Sequence, residues 1–314
     1  MNSGLDALIL SLRALGIGNG DEVITVPNTF IATIAAIELV GAKTVLVDVD
    51  NSYNLDPTLL ENAITPRTRA IIPVHLTGNP CEMTAINEIA KKHGVFVLED
   101  AAQAIDAIYD GKKVGSLGHA AAFSLHPLKN LHVWGDGGVI TTNDRKLVEN
   151  LKLQRNHGLR NRNECEFFSY NSRLDTIHAV IGLESIKQLE ATTRKRIENA
   201  AYYQSKLEGI SGIELPAYFD SLQRRSVFHV YQMRVSNRSA LISFLESEGI
   251  ETKIHYPVPV HFQKAAQHLG YQPGDFPVTE KLAKEILSIP VRENLFPHEV
   301  DFVAKKIKSF YLSA

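Results

Sequence analysis

The chain has 314 residues, of which 44% are hydrophobic, and its formal net charge at pH 7 is −2. This length allows a large domain and a smaller one, and the near-neutral charge gives no reason to expect a nucleic-acid or membrane-surface partner. The two cysteines, Cys81 and Cys165, fit no metal-site spacing and are too few for a disulfide scaffold. With no bilayer-spanning run and no signal-peptide pattern, we expect a cytoplasmic protein.

Short β-branched runs alternate with helical segments from Asp21 to about Thr142. Strands are predicted over residues 23–26, 44–49, 70–74, 95–98, 120–124 and 139–142. Helices are predicted over residues 31–40, 57–63 and 83–93. Because this alternation favours right-handed βαβ units, we predict an α/β fold with a mainly parallel central sheet.

The second part of the chain has a different pattern. A long helical stretch follows Asp175 and places five aliphatic side chains toward one side: Ile177, Val180, Ile181, Ile186 and Leu189. After Pro216, strands are predicted over residues 228–235 and 251–255, and helices over 238–248, 279–287 and 297–310. We therefore predict a large domain over residues 1–190 and a small C-terminal α+β domain over residues 191–314.

Three segments bring polar groups to the edge of the predicted sheet where ligands bind in open α/β folds. One strand leads to Asp100 and Gln103, although Asp100 alone could equally be a helix cap. Another ends at Ser124 and is followed by Lys129, which alone would usually be a solvated loop residue. Residues 3–5 open a helix whose N–H groups can bind phosphate, or are simply an ordinary helix start.

Together these segments supply what pyridoxal phosphate (PLP) needs. An amine forms the Schiff base, a carboxylate keeps the pyridine nitrogen protonated, and a helix start with a hydroxyl holds the phosphate. The nucleotide-binding patterns GxGxxG and GxxxxGK[ST] are both missing from the sequence, which weakens the dinucleotide and P-loop interpretations.

Nine short segments, spread in order along nearly the whole chain, match the motifs of one known family. They lie at residues 2–8, 20–24, 27–30, 99–103, 124–130, 135–138, 155–158, 170–175 and 254–257. In these motifs the sequence resembles the DegT/DnrJ/EryC1/StrS aminotransferases, which are fold-type I PLP enzymes that mostly act on nucleotide-linked keto sugars. The resemblance implies a PLP-binding large domain and a cycle that passes through the pyridoxamine phosphate form.

The resemblance also implies roles for the residues around the cofactor. Lys129 falls on the Schiff-base lysine, which also moves a proton, and Asp100 falls on the carboxylate at the pyridine nitrogen. Gln103 falls on the residue near the phenolic oxygen. Phe30 matches an aromatic position over the ring, with plain core packing an even alternative. The phosphate-binding positions match Ser124 and the backbone of Ser3, Gly4 and Leu5.

Further residues are implied in substrate binding and assembly. His229, His255 and Tyr256 lie in segments that line the sugar pocket of relatives, although each residue type is more often structural. Trp134 could stack on a sugar or a base, and packing explains it equally well. Asn171 resembles an asparagine that reaches the phosphate of the neighbouring subunit, which implies a homodimer with shared active sites.

The leading hypothesis is a transaminase that moves nitrogen from glutamate to a keto group of a nucleotide-linked sugar. By resemblance, the segment from Trp134 to Gly138 favours amination at C3 over C4, and analogy suggests lipopolysaccharide O-antigen or secondary-metabolite biosynthesis. A sugar dehydratase is less favoured, because such relatives replace the lysine with histidine. Family members carry a further segment before the first motif, and Leu5 replaces a usual threonine. A truncated, non-catalytic binding or assembly subunit is therefore a third hypothesis.

Overall fold

The structure, a computed structural model, describes residues 1–312. The strands are β1 (Glu22–Thr25), β2 (Lys43–Leu46), β3 (Thr68–Ile71), β4 (Phe96–Asp100), β5 (Ile108–Tyr109), β6 (Lys112–Lys113), β7 (Ala120–Ser124), β8 (Gly138–Thr141), β9 (Ile213–Glu214), β10 (Arg224–Arg225), β11 (Tyr231–Val235) and β12 (Ile286–Ile289). The helices are α1 (Gly4–Ala14), α2 (Ile31–Leu39), α3 (Pro57–Leu60), α4 (Met83–His93), α5 (Arg145–Gln154), α6 (Thr176–Ser185), α7 (Leu189–Leu207), α8 (Arg238–Ser247), α9 (Pro277–Glu285) and α10 (Pro297–Leu312).

The central sheet has six strands in the order β2-β1-β3-β4-β7-β8. Every neighbouring pair is parallel except β7 and β8, which run antiparallel. The predicted α/β fold with a mainly parallel sheet is therefore confirmed. Because β4 and β7 are parallel neighbours with Asp100 opposite Ala122, the ends of both strands meet at the same edge. This register brings Asp100 near the end of β7 at Ser124.

Helices cover both faces of this sheet, as the alternation of side chains along each strand requires. Val23 and Leu98 share one buried cluster with α1 residues such as Leu8. Ile24 and Val97, each one position away, join the cluster on the opposite face with Met83 and Ile86 of α4. Among residues 1–312, no helix combines the length and the apolar character needed to cross a membrane.

A second sheet, in the order β12-β11-β9, lies in the C-terminal part of the chain. It shares a core with α7, α8 and α10, to which Tyr203, Leu241 and Ile307 contribute. In contrast, Leu282 and Ile286 pack into the core of the first sheet. The division at residue 190 stays a prediction, because the later segment contributes to both cores.

Two local predictions in this part were wrong. Residues 251–255 do not form a strand; Lys253 alone forms a bridge with Ser288, and each donates its N–H to the other's carbonyl. The helix predicted over residues 279–287 ends at Glu285, and the next four residues form β12 because they pair antiparallel with β11. The first difference arises because only Lys253 pairs with β12, and the second because residues 286–289 pair with β11; sequence periodicity reports neither.

A fully buried carboxylate fixes the end of β4. Glu99 Oε1 accepts from the backbone N–H groups of Leu117 and Gly118, each at 2.8 Å, and Oε2 accepts from Gly115 N at 2.9 Å. The fourth donor is His75 Nε2 at 3.1 Å, because His75 Nδ1 already accepts from a backbone N–H. His75 also donates its backbone N–H to the Asp100 carbonyl. Glu99 thus ties the 115–118 turn to the segment that presents Asp100.

We expect Glu99→Gln to lower the free energy of unfolding by about 3 kcal/mol or more, because the new amide NH₂ group would face N–H donors and leave at least one of them buried without an acceptor. Urea unfolding followed by circular dichroism measures this loss. Glu88→Gln, at an exposed position of α4, is the matched control. A change below about 1 kcal/mol for Glu99→Gln would contradict the assigned network.

Candidate active site

Asp100 lies buried at the end of β4, 5% exposed, with a hydrogen bond to each carboxylate oxygen. Thr33 Oγ1 donates to Oδ2 at 2.7 Å, and Ala102 N donates to Oδ1 at 3.1 Å. Thr29 Oγ1 lies 2.8 Å from Thr33 Oγ1. Because an ionised carboxylate only accepts, Thr33 donates to Asp100, and Thr29 donates to Thr33 in turn. The two hydroxyls form an oriented chain that favours the anion.

Asp100 and Lys129 influence each other electrostatically inside one site. Burial raises the pKa of Asp100, while Thr33, Ala102 and the charge of Lys129 partly oppose this rise. Burial lowers the pKa of Lys129 to about 8, against the attraction of Asp100. The Lys129 amine is therefore more readily neutral and nucleophilic than that of a solvated lysine, and Asp100 lacks a full counter-charge.

The start of α1 approaches the end of β7 closely. Ser3 caps the helix by accepting from Asp6 N at 3.0 Å, so its hydroxyl is engaged within the helix. The N–H groups of Gly4 and Leu5 belong to the first turn, where no intrahelical acceptor exists. A Cβ on Gly4 would lie 2.8 Å from the Cβ of Ser124. This close approach places a hydroxyl beside free N–H groups, which is the composition of a phosphate cradle.

Gln103 has a fixed orientation beside Asp100. Its Oε1 accepts from Thr77 N at 2.7 Å, so the amide nitrogen points the other way and donates to Tyr256 Oη at 3.2 Å. The ring of Tyr256 lies 5.7 Å from that of Phe30, centroid to centroid. Phe30 is 55% exposed, so it is not a core residue of this chain. The ring is therefore free to lie over a ligand.

A cleft of about 880 Å³ extends from Lys129, and His229 and His255 line it. Burial lowers the pKa of His255, and the charges of Lys129 and Lys253 add to this effect. His255 Nδ1 lies 2.9 Å from the hydroxyl of Ser288. The cleft thus carries a neutral imidazole at His255 that can hydrogen-bond to a polar ligand.

Trp134 and Asn171 lie at the surface of the single chain. Trp134 is 75% exposed and Asn171 is exposed, with its backbone carbonyl accepting from Asn2 Nδ2 at 3.0 Å. Within one chain, neither side chain is packed in the interior. Their predicted contacts with substrate and with a neighbouring subunit's phosphate stay predictions.

Two polar residues of the site were missed by the sequence reasoning, Thr33 and Asn130. Thr33 lies in the first turn of α2 and Thr29 lies two residues before the helix begins, so helical spacing does not report the contact between their hydroxyls. Asn130 directly follows Lys129 but contacts Val227 and His229, which are distant in sequence. No local pattern reports that contact.

The arrangement fits PLP on three counts. Asp100 is a buried carboxylate that a pyridinium cation would complement, Lys129 offers a partly neutral amine, and α1 with Ser124 offers a phosphate cradle. Within residues 1–312, no cluster of three or more His, Cys, Asp or Glu residues could hold a metal ion.

Comparison with known proteins agrees with this geometry. Residues 1–308 match the model of the DegT/DnrJ/EryC1/StrS aminotransferase family. The dTDP-3-amino-3,6-dideoxy-alpha-D-galactopyranose transaminase of Aneurinibacillus thermoaerophilus is 46% identical over 311 residues, covering 98% of this chain and 84% of the relative. The erythromycin biosynthesis protein EryC1 of Saccharopolyspora erythraea is 43% identical over 310 residues, with the same two coverages.

Solved structures of the same kind also match. The crystal structure of Streptomyces venezuelae DesV superposes with a TM-score of 0.96 at 41% identity, covering 99% of this chain and 83% of that one. NtdA of Bacillus subtilis, with bound cofactor PMP, gives a TM-score of 0.91 at 32% identity, covering 98% and 71% of the two chains.

We expect Gly4→Ala to weaken PLP binding at least about ten-fold, because the new methyl group would push α1 away from Ser124 and open the phosphate cradle. Titration of the apoprotein with PLP, followed by absorbance, measures the dissociation constant. Gly18→Ala is the control, since its Cβ would make only an ordinary contact, 3.5 Å from the Val40 carbonyl. Equal affinity in both variants would place the phosphate elsewhere.

Proposed function

The chain belongs to the DegT/DnrJ/EryC1/StrS aminotransferase family, and we propose that it moves an amino group from glutamate to a keto group of a nucleotide-linked sugar. The observation that carries this proposal is the pairing of Lys129 and Asp100 in one buried site beside the cradle at α1. An amine and a carboxylate so arranged suit the two ends of one flat heteroaromatic ring.

PLP, when bound, supplies an electron sink that allows nitrogen to pass between two carbon skeletons. In the proposed mechanism, Lys129 would hold the cofactor covalently, and its amine, once displaced, would carry a proton. Asp100 would supply the negative charge for the ring nitrogen, and the hydroxyl of Thr33 holds its Oδ2 in place. Little water screens the attraction between the Lys129 amine and the Asp100 carboxylate, so burial strengthens it.

Other residues orient the cofactor. The N–H groups of Gly4 and Leu5 and the hydroxyl of Ser124 would bind the phosphate, while Gln103 would direct an amide N–H toward the phenolic oxygen. Phe30 would lie over the ring. Each of these groups only binds or orients, so all covalent and proton-transfer chemistry in this scheme rests on Lys129.

The sugar pocket is proposed to include His229, His255, Tyr256 and Trp134. A nucleotide-linked sugar fits the size of the cleft, which has a volume of about 880 Å³. We place the amination at C3, a choice supported by the relative from Aneurinibacillus thermoaerophilus, which is named for a 3-amino sugar. We further propose a cytoplasmic enzyme that supplies amino sugars for lipopolysaccharide O-antigen or for a glycosylated secondary metabolite.

Borohydride reduction of the PLP-loaded protein, followed by peptide mass spectrometry, tests the covalent role. We expect the reduced cofactor on the peptide that contains Lys129, and we expect Lys129→Ala to lose turnover about 10²-fold or more. Lys146→Ala, at an exposed position of α5, is the control. A protein that binds PLP but never converts it with glutamate would instead favour a non-catalytic subunit.

A homodimer is proposed from the surface of α6 and the residues after it. Ile177, Val180, Leu183 and Ile186 are 64%, 52%, 65% and 53% exposed. Such a row of aliphatic side chains indicates an interface rather than a solvated face. Asn171 lies shortly before this row, which supports its proposed contact with the partner's phosphate site.

If the sites are shared, two inactive variants should complement each other. Mixing Lys129→Ala with Asn171→Ala after subunit exchange should restore about a quarter of wild-type activity, because half of the dimers are mixed and each mixed dimer has one intact site. Enzyme assays of the mixture and of each variant alone measure this. A mixture no more active than its components, with exchange verified by mass spectrometry, would contradict shared sites.

A further inference from the structure

The side chain of Asn130 has one allowed orientation. It is 9% exposed and directly follows Lys129. Its Nδ2 lies 3.2 Å from the carbonyl oxygen of Val227, and its Oδ1 lies 3.1 Å from His229 Nδ1. A carbonyl oxygen only accepts, so the amide NH₂ must face Val227 and the amide oxygen must face His229. That oxygen is also only an acceptor, so Nδ1 of His229 carries a hydrogen.

The surroundings of His229 disfavour a second proton. Burial is the largest cause that holds its pKa well below the usual value, and the charges of Lys129, Arg196, His255 and His126 act in the same direction. These groups come from the lysine loop, from α7 and from the segment before Tyr256. With Nδ1 protonated and the ring neutral, Nε2 has a lone pair and no hydrogen.

The backbone around His229 is held as firmly as its ring. Arg196 Nη1 donates to the carbonyl oxygens of Phe228 and His229 at 3.3 and 3.1 Å. Nη2 of Arg196 lies 2.8 Å from Oε2 of Glu293. His229 lines the same cleft as Lys129. In the described part of the chain, the ring has no hydrogen bond besides the one from Nδ1 to Asn130.

We propose that Asn130 is a positioning residue that fixes the Nδ1–H tautomer of His229, so that Nε2 accepts a hydrogen bond from a sugar hydroxyl of the substrate beside Lys129. The identity of that donor rests on the proposed function, whereas the tautomer does not. An acceptor at this position selects for a ligand with a hydroxyl and against one with only a carbonyl or ether oxygen there.

Nuclear magnetic resonance of protein labelled with ¹⁵N in histidine tests the tautomer without any turnover. We expect His229, assigned by comparison with His229→Gln, to show a protonated Nδ1 and an unprotonated Nε2 from about pH 6 to pH 9. A ring that is protonated on Nε2, or that titrates near its usual pKa, would overturn the proposal. If the tautomer is confirmed but no transamination occurs, only the proposed function fails.

Two substitutions at Asn130 separate positioning from mere packing. Asn130→Asp keeps an acceptor at Nδ1–H but adds a negative charge, so it should raise the pKa of His229 by about one unit or more. KM for the sugar substrate should then rise at acid pH and return toward wild type at alkaline pH. Asn130→Leu removes the acceptor, so it should mix the two tautomers and raise KM at every pH.

Asn87→Asp is the matched control, since Asn87 also donates its amide to a backbone carbonyl, that of Leu117 at 3.0 Å, and has no histidine partner. It should leave the His229 signals and the pH profile of KM unchanged. If Asn130→Asp leaves the His229 titration unchanged as well, Asn130 does not govern the ring and the proposal is wrong. The wild-type spectrum decides the tautomer even if both Asn130 variants fold poorly.

Discussion

A carboxylate that is buried without a full counter-charge is the constraint on which the site depends. Burial makes the Asp100 anion costly, and the hydroxyl of Thr33 and the N–H of Ala102 offset only part of that cost. In the proposed function, a cationic ring nitrogen placed against Asp100 would supply what is missing. Cofactor affinity and ring protonation would then have one physical origin, since both would relieve the same buried charge.

The sheet provides the precision that this interaction needs. Parallel pairing of β4 with β7 brings Asp100 and the Ser124 end of β7 to one edge, and α1 adds its first turn there. Glu99, the neighbour of Asp100, points the other way and is fixed by four donors. Because adjacent strand residues face opposite sides, fixing Glu99 also fixes the direction of Asp100. The hydrogen bonds that hold Glu99 on one face of the sheet therefore also hold the Asp100 side chain in its direction on the other face.

Much of this could be predicted from sequence, because the signals are local. The alternation of strands and helices predicted the parallel sheet, and motifs around Lys129 and Asp100 predicted the cofactor. Contacts between distant segments could not be predicted. Residues 251–255 fail to form a strand because only one of them, Lys253, pairs with Ser288. Asn130 hydrogen-bonds to His229, which is 99 positions away in the sequence. Contacts of the same kind join Leu282 and Ile286 of the C-terminal part to the core of the first sheet.

The protonation state of the cofactor nitrogen tests the proposed role of Asp100 most directly. Apoprotein reconstituted with PLP that carries ¹⁵N in the ring reports this state through the nitrogen chemical shift. We expect a protonated nitrogen across the neutral and alkaline range in the wild type, and an unprotonated one in Asp100→Asn. An unprotonated nitrogen in the wild-type protein, or no difference between the two, would contradict the central role of Asp100.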